Sequence, residues 1–385
     1  MQKSISILGV TGSIGQSTLD IIAQHPDKFS LSAVTAHENI DGLIAVCKKF
    51  MPRYAAIASP ALQATLREAL AGTVTQAIDG NDAIIKAAAI PCDISVAAMM
   101  GAVGVAPILK ALESGAHVAL ANKEALVCAG PQVLATAAKH QRMLLPLDSE
   151  HNAAFQCWNA HTQTSLASLT LTASGGPFLT RDLNSFSSIT PEEAVKHPRW
   201  NMGAKISVDS ATMMNKGLEL IEAHYLFNLA HETLQAVIHP QSIVHALLTH
   251  HDGSVLAQMA MPDMRIPIAY ALSWPERLPL KAPTLNIAEL SRLDFYPIEK
   301  NRYPLYFLAC EALKHGQAAM ITLNASNEVA VQAFLQKAIG FTEIHAIVER
   351  TLNMRDFPSI SSVEDALAWD VEARSAAHHF TEQRA

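Results

Sequence analysis

Asp148-Ser149-Glu150-His151-Asn152 sets two carboxylates two residues apart, directly after the apolar run 143–147. Read as the end of a buried strand, that run points both carboxylates to one side. Like charges so placed repel unless a cation lies between them. Oxygen donors of this type suit a hard divalent ion such as Mg²⁺ or Mn²⁺. A second polar group lies in the stretch 207–219, Ser-Val-Asp-Ser-Ala-Thr-Met-Met-Asn-Lys-Gly-Leu-Glu. Asn215 and Glu219 are four apart and share a helix face, with Glu222 a turn further on. Ser210, Asn215 and Lys216 offer donors and one positive charge, a set able to hold a phosphate. Glu219 can add a third carboxylate to Asp148 and Glu150. The bland alternative makes Lys216 and Glu219 a surface pair worth about a few tenths of a kcal/mol.

Four further groups carry possible chemistry. Ser174-Gly175-Gly176-Pro177 ends a strand, and its hydroxyl and successive N–H groups can form an anion nest. Residues 197–203, His-Pro-Arg-Trp-Asn-Met-Gly, lie outside any periodic element, as a mobile lid does; an ordinary loop anchored by Trp200 reads the same way. Asn122-Lys123-Glu124 follows the strand 118–121, where ligands of open α/β sheets bind, though Lys123 and Glu124 also suit the solvated start of the next helix. At the N-terminus, Gly9-Val10-Thr11-Gly12-Ser13-Ile14-Gly15 follows a strand and opens a helix. Its last two glycines keep the spacing that lets backbone approach a pyrophosphate and lets helix pack on strand. Helix-start N–H groups then hold the phosphates. The second strand ends in Ala36-His37-Glu38-Asn39. An acid there favours NAD, whereas His37 and Asn39 can meet a 2′-phosphate, so these residues alone leave the cofactor open.

The elements that must position these groups fall into three parts. Strand and helix alternate from residue 4 to 147, which predicts a parallel sheet covered on both faces: a Rossmann-type dinucleotide-binding domain over residues 1–148. Residues 149–273 read as an α+β domain, with the lid-like stretch near 197–205. It contains a strand at 168–173, one long helix at 209–228 and strands at 234–238, 243–249 and 254–259, the last two joined by the hairpin signal His251-Asp252-Gly253. A proline-rich linker is expected over 274–302. Residues 303–385 predict a helical bundle with helices at 305–315, 324–338, 342–354 and 362–379.

Composition narrows the class. The chain has 385 residues, half of them hydrophobic and 16% charged, with net charge −7. That balance argues against non-specific binding to nucleic acid or an anionic membrane. The five cysteines show no CxxC pair and fit reduced thiols. With no signal peptide and no apolar run of spanning length, the expected setting is cytoplasmic. No HExxH or zinc-type Cys/His spacing occurs.

The motifs taken together resemble the 1-deoxy-D-xylulose 5-phosphate reductoisomerase family. The matching strings are Gly12–Gly15, Asn122–Glu124, Asp148–Asn152, Ser174–Phe178, His197-Pro198, the fifteen residues from Lys205 to Glu219, His239–Ser242 and Pro262–Arg265. They run in order along essentially the whole chain. The resemblance implies that residues 149–273 are the catalytic and dimerisation domain, with its lid near 197–205, and that the protein is a homodimer paired through that central domain. It implies conversion of the phosphosugar 1-deoxy-D-xylulose 5-phosphate into 2-C-methyl-D-erythritol 4-phosphate, for isoprenoid precursors, by metal-assisted rearrangement and then hydride transfer from NADPH. On that likeness Asp148, Glu150 and Glu219 hold Mg²⁺, Mn²⁺ or Co²⁺, and Lys123 binds a substrate hydroxyl and assists proton transfer. Ser149 contacts substrate; Ser174, Ser210, Asn215 and Lys216 hold its phosphate; His197 and Trp200 close the lid. Thr11, Gly12, Ser13, Ile14, Asn39, Asn122, Glu124 and Gly203 bind the cofactor. One departure stands out: the family often has Gly-Lys-Asn where this chain has His37-Glu38-Asn39, so the lysine expected at the 2′-phosphate is absent. Two other classes are weighed. A different Rossmann dehydrogenase of a small aldehyde has no need of three carboxylates on a metal. A non-catalytic dinucleotide sensor would bind cofactor without turnover.

Overall fold

The computed structural model describes residues 2–200, 202–353 and 356–383. Asn201 of the expected lid, Met354 at the end of the third expected bundle helix and the last two residues fall outside them.

The chain forms two compact units, the first made of residues 1–125, 131–152 and 263–283. Its strands are β1 (Lys3–Leu8), β2 (Phe29–Ala36), β3 (Tyr54–Ile57), β4 (Gln76–Ile78), β5 (Ile94–Ala97), β6 (His117–Leu120) and β7 (Leu144–Pro146). They pair in the order β4-β3-β2-β1-β5-β6-β7, all parallel. Helices α1 (Ser13–Gln24), α2 (Ile40–Phe50), α3 (Gln63–Leu70), α4 (Ala83–Ala88), α5 (Val105–Glu113) and α6 (Lys123–Lys139) make the crossovers. Ile5, Ile7 and Leu8 of β1 are buried, as a strand covered on both faces requires. Strand order reverses between β1 and β5, and the loops leaving that switch point form the ligand crevice of such sheets. The Rossmann-type reading of the first part therefore holds.

After β7 comes α7 (Ser149–Cys157), then α8 (Thr162–Ser165). Here the extended reading of Asp148–Glu150 is corrected. Asp148 stands just before α7, its Oδ1 accepts from Glu150 N–H at 3.3 Å, and its carbonyl accepts from Asn152 N–H. Asp-Ser-Glu is a helix-start signal, and local capping overrides continuation of the strand.

The second unit comprises residues 126–130, 153–262 and 284–385. It holds β8 (Leu166–Ala173), α9 (Pro191–Ala194), α10 (Ala204–Ala211), α11 (Met214–Phe227), β9 (Leu234–Ile238), β10 (Val244–His250) and β11 (Val255–Met259). The sheet order is β11-β10-β8-β9, with β8 and β9 parallel and the others antiparallel; β10 and β11 form the expected hairpin. The single helix expected over 209–228 is two helices. Met213 takes φ +62, a left-handed conformation that breaks the run between α10 and α11.

In the first unit, α12 (Arg265–Ser273) carries the chain into the proline-rich stretch. That stretch is not wholly a linker: Lys3 Nζ donates to the carbonyls of Leu272 and Trp274, and Lys281 N–H donates to Gln24. Residues 274–283 thus pack with the parallel-sheet unit. Helices α13 (Pro304–His315), α14 (Gln317–Leu335), α15 (Phe341–Leu352) and α16 (Val363–Glu382) complete the expected bundle in the second unit. Phe178, Phe186 and Phe334 all pack on the Phe341 ring. No helix among the described residues is long and apolar enough to cross a membrane.

Candidate active site

The glycine turn follows β1 as expected. A Cβ on Gly15 would lie 2.5 Å from the Val10 carbonyl oxygen, so α1 reaches its position only with glycine there. No side chain caps α1, and Gly12 and Ser13 at its start are exposed, with Ile14 half-buried. Its first N–H groups can therefore serve an anion. Thr11, Gln16, Asn39, Gly42 and Lys49 line a cleft of about 330 Å³ beside this turn. Asn39 caps α2, its Oδ1 accepting from Gly42 N–H at 2.9 Å. His37 and Glu38 stand exposed at the end of β2, 3.9 Å apart. Asn122 is buried; it caps α6 through Ala125 N–H and donates from Nδ2 to the Gly101 carbonyl. Glu124 is buried on the same turn. The solvated-helix-start alternative for Lys123 and Glu124 thus fails.

Lys123 reaches across from the start of α6 to β7. Its Nζ lies 2.9 Å from Asp148 Oδ2, with side chains only 10% and 14% exposed. Ser149 donates to Glu150 Oε2 at 2.5 Å. His151, fully buried, places Nδ1 3.2 Å from Asp148 Oδ1. Two half-buried carboxylates and an ammonium so close make a site that already requires positive charge, and its oxygen donors suit a hard cation.

The second unit carries the other group. His197 Nδ1 accepts the N–H groups of Arg199 (3.1 Å) and Trp200 (2.9 Å), so the ring carries its proton on Nε2. That Nε2 lies 2.9 Å from Ser174 Oγ, which also accepts from Gly176 N–H at 3.1 Å. With two donors aimed at it, the Ser174 hydroxyl has its own hydrogen left to donate. Burial pushes the His197 imidazole down to about 4, so it is neutral at pH 7. Trp200 is half-buried, its ring 6.5 Å from that of His245. Gly176 packs on Ser210: a Cβ there would lie 2.7 Å from the Ser210 carbonyl oxygen. Gly203 immediately precedes α10 and is exposed.

The Met213 break begins α11 at Met214, which puts Asn215 and Lys216 in its first turn, where the helix dipole favours anions. Asn215 Nδ2 and Lys216 Nζ both donate to the Glu219 carboxylate. The Lys216 and Glu219 side chains are 3% and 2% exposed, which removes the surface-pair alternative. A buried ion pair of this kind costs desolvation, and chemistry accounts for it better than stability does. Glu222, one turn on, is fully buried.

Sequence reasoning missed several groups. Asp209 is 1% exposed; its Oδ1 accepts from Asn327 Nδ2 at 2.8 Å and its Oδ2 lies 2.9 Å from Lys205 Nζ. Asn327 is 118 residues away, and no local pattern marks such a partner. His151 stood in a matched string but had no role assigned.

The comparisons agree along the whole chain. The profile described as 1-deoxy-D-xylulose 5-phosphate reductoisomerase matches residues 5–130, and two C-terminal-domain profiles of that reductoisomerase match 144–227 and 259–376. A 1-deoxy-D-xylulose 5-phosphate reductoisomerase of Tolumonas auensis is 48% identical, the alignment covering 97% of each chain. One of Zymomonas mobilis is 46% identical over 97% of this chain and 96% of its own. The solved reductoisomerase of Zymomonas mobilis in complex with NADPH superposes with TM-score 0.93 at 44% identity, covering 99% of this chain and all of that one. A DOX-P reductoisomerase in complex with NADPH, fosmidomycin and magnesium also gives 0.93, at 41% identity, covering 99% of this chain and 98% of that one. The chain belongs to the 1-deoxy-D-xylulose 5-phosphate reductoisomerase family.

Proposed function

We infer that this chain converts 1-deoxy-D-xylulose 5-phosphate to 2-C-methyl-D-erythritol 4-phosphate, depending on NADPH and a divalent cation. The observation that carries this is likeness along nearly the full length to reductoisomerases, one of them solved with NADPH and magnesium. A simple aldehyde dehydrogenase has no use for the buried Lys216–Glu219 pair or for Lys123 on Asp148.

Residue roles follow from the chemistry each group can do. Asp148, Glu150 and Glu219 hold the cation, their oxygen donors matching Mg²⁺, Mn²⁺ or Co²⁺. When bound, the cation supplies Lewis acidity toward the sugar ketone and neighbouring hydroxyl, and NADPH supplies the hydride. Lys123 neutralises Asp148 and offers an ammonium proton to a substrate hydroxyl. Ser149 contacts substrate beside Glu150. The Ser174 hydroxyl, Ser210, Asn215 and Lys216 bind the phosphate, so binding energy distant from the reacting carbons orients them. His197 and Trp200 cover the site and exclude water. Thr11, Gly12, Ser13, Ile14, Asn39, Asn122, Glu124 and Gly203 bind the dinucleotide. We place the enzyme in the cytoplasm, in keeping with its five free cysteines. We pair it as a homodimer through the central domain, where edge strand β11 exposes Val255 (50%) and Leu256 (45%).

The test is NADPH oxidation with 1-deoxy-D-xylulose 5-phosphate and Mg²⁺, repeated with EDTA and with NADH. Metal-dependent turnover yielding the branched polyol phosphate is expected. Folded, metal-loaded protein without turnover would overturn the reading.

A further inference from the structure

Tyr303 is fully buried, and its hydroxyl donates to the Gly175 carbonyl at 2.7 Å. Burial pushes the phenol up to about 12, so it stays a donor throughout the working pH range. Its neighbour Arg302 donates from Nη1 to the carbonyls of Phe178 (2.9 Å) and Arg181 (2.7 Å). One dipeptide just ahead of α13 therefore grips three carbonyls of the loop 175–181.

That loop needs holding. Gly175 and Gly176 both take positive φ, +82 and +66, an arrangement with little intrinsic preference for one state. Its far end is anchored by apolar packing, because Phe178 meets the rings of Phe186 and Phe341. At the near end, which carries Ser174 and the Gly176 amide, Tyr303 supplies a hydrogen bond to the Gly175 carbonyl. The same helix also serves the opposite wall: a Cβ on Gly217 would run into Ala309 of α13, so α13 lies tight against the start of α11. Gly176 in turn abuts the Ser210 carbonyl. The 302–309 segment thus touches the loop of Ser174 through Tyr303 and the first turn of α11 through Ala309, and the backbone of Ser210 is met in turn by Gly176.

We propose that Arg302-Tyr303 is the positioning element of the phosphate pocket: its three hydrogen bonds fix the Ser174 hydroxyl and the Gly176 amide against α10 and α11. This rests on the reading of Ser174, Ser210, Asn215 and Lys216 as phosphate ligands. Tyr303 and Arg302 need not touch the substrate; they act through the loop. Because the Phe178 end has a second anchor, loss of the Tyr303 hydroxyl matters more than weakening of Arg302.

The experiment compares Tyr303→Phe, Arg302→Lys and Lys216→Met by steady-state kinetics, inhibition by inorganic phosphate, NADPH titration and melting temperature. For Y303F, KM for 1-deoxy-D-xylulose 5-phosphate and the inhibition constant of inorganic phosphate should rise together, roughly three- to tenfold for one lost hydrogen bond. Its kcat should stay within about twofold, and NADPH affinity should not change. R302K should show a smaller rise of the same kind, and it provides the readout if Y303F does not fold. If the melting temperature falls while KM and phosphate inhibition stay put, the dipeptide is only structural and the proposal fails. K216M separates the two readings. Weaker phosphate inhibition in K216M but not in Y303F sinks the clamp alone, whereas unchanged inhibition in K216M sinks the phosphate pocket itself.

Discussion

Gly176→Ala should damage substrate binding more than stability arguments alone allow. Gly176 takes φ +66, where an L side chain costs about 1–2 kcal/mol. Its Cβ would also lie 2.7 Å from the Ser210 carbonyl oxygen and 3.0 Å from Ala211 Cα, both backbone atoms that no rotamer change can move. Relieving that overlap needs a shift of roughly half an ångström between the loop and α10, and overpacking of this size adds about 1–3 kcal/mol. Gly115 is the control: it takes φ +91 but has nothing within 4 Å of its Cβ position. Gly115→Ala should therefore lose about 1–2 kcal/mol and G176A about 2–5 kcal/mol in urea unfolding. The displacement also separates Ser174 from Ser210 by about the tolerance of a productive binding geometry. KM for the phosphosugar should rise by about tenfold or more in G176A and not at all in G115A. Equal losses of stability in the two variants, or an unchanged KM in folded G176A, would refute the reasoning.

Three further outcomes are expected. The His197 imidazole sits at about 4 when folded against an ordinary 6.5, so below pH 6.5 the unfolded chain takes up a proton that the folded one refuses. Stability should then fall by roughly 1 kcal/mol between pH 6.5 and 5, the full linkage value being reduced because water still screens part of the ring, and less steeply in His197→Gln; parallel urea midpoints for the two proteins would count against it. Glu38→Lys removes an exposed negative charge from the end of β2, so NADPH should bind about tenfold tighter with NADH little changed; an unaltered NADPH-to-NADH ratio in fluorescence titration would show that Glu38 does not face the 2′-phosphate. Asn327→Ala removes a hydrogen bond to the buried Asp209 carboxylate and should cost about 1.5–3 kcal/mol in urea unfolding; a loss below about 0.5 kcal/mol would mean the carboxylate is held by other groups.

Much of the fold was legible because its signals are local. Strands buried on both faces read as unbroken apolar runs, as Ile5, Ile7 and Leu8 do, and turns carry glycine. The hairpin at His251-Asp252-Gly253 and the four bundle helices were legible for the same reason. What escaped depends on distant atoms. The break at Met213 has no glycine or proline to announce it, and Ser-Ala-Thr-Met-Met-Asn keeps helical spacing through it. The burial of Lys216 and Glu219 is invisible in a pattern that equally suits a surface pair. Tyr303 and Gly175 stand 128 residues apart, as remote in sequence as Asp209 and Asn327. Candidate donors stand out by residue type and spacing, whereas the groups packed around them do not.

The glycines of the N-terminal turn show the same division within seven residues. In sequence Gly12 and Gly15 look alike, two members of one fingerprint. In the structure Gly15 is required by the fold, because any side chain would meet the Val10 and Gly9 carbonyl oxygens. Gly12 has φ −79 and only the Gly9 oxygen within 4 Å, at 3.6 Å, so the backbone tolerates an alanine there. Packing therefore gives no reason for Gly12 to lack a side chain. An approaching phosphate does, since a Cβ would stand between it and the first N–H groups of α1. A residue that its own fold leaves unconstrained, at the mouth of a helix with no side-chain cap, is best accounted for by the ligand.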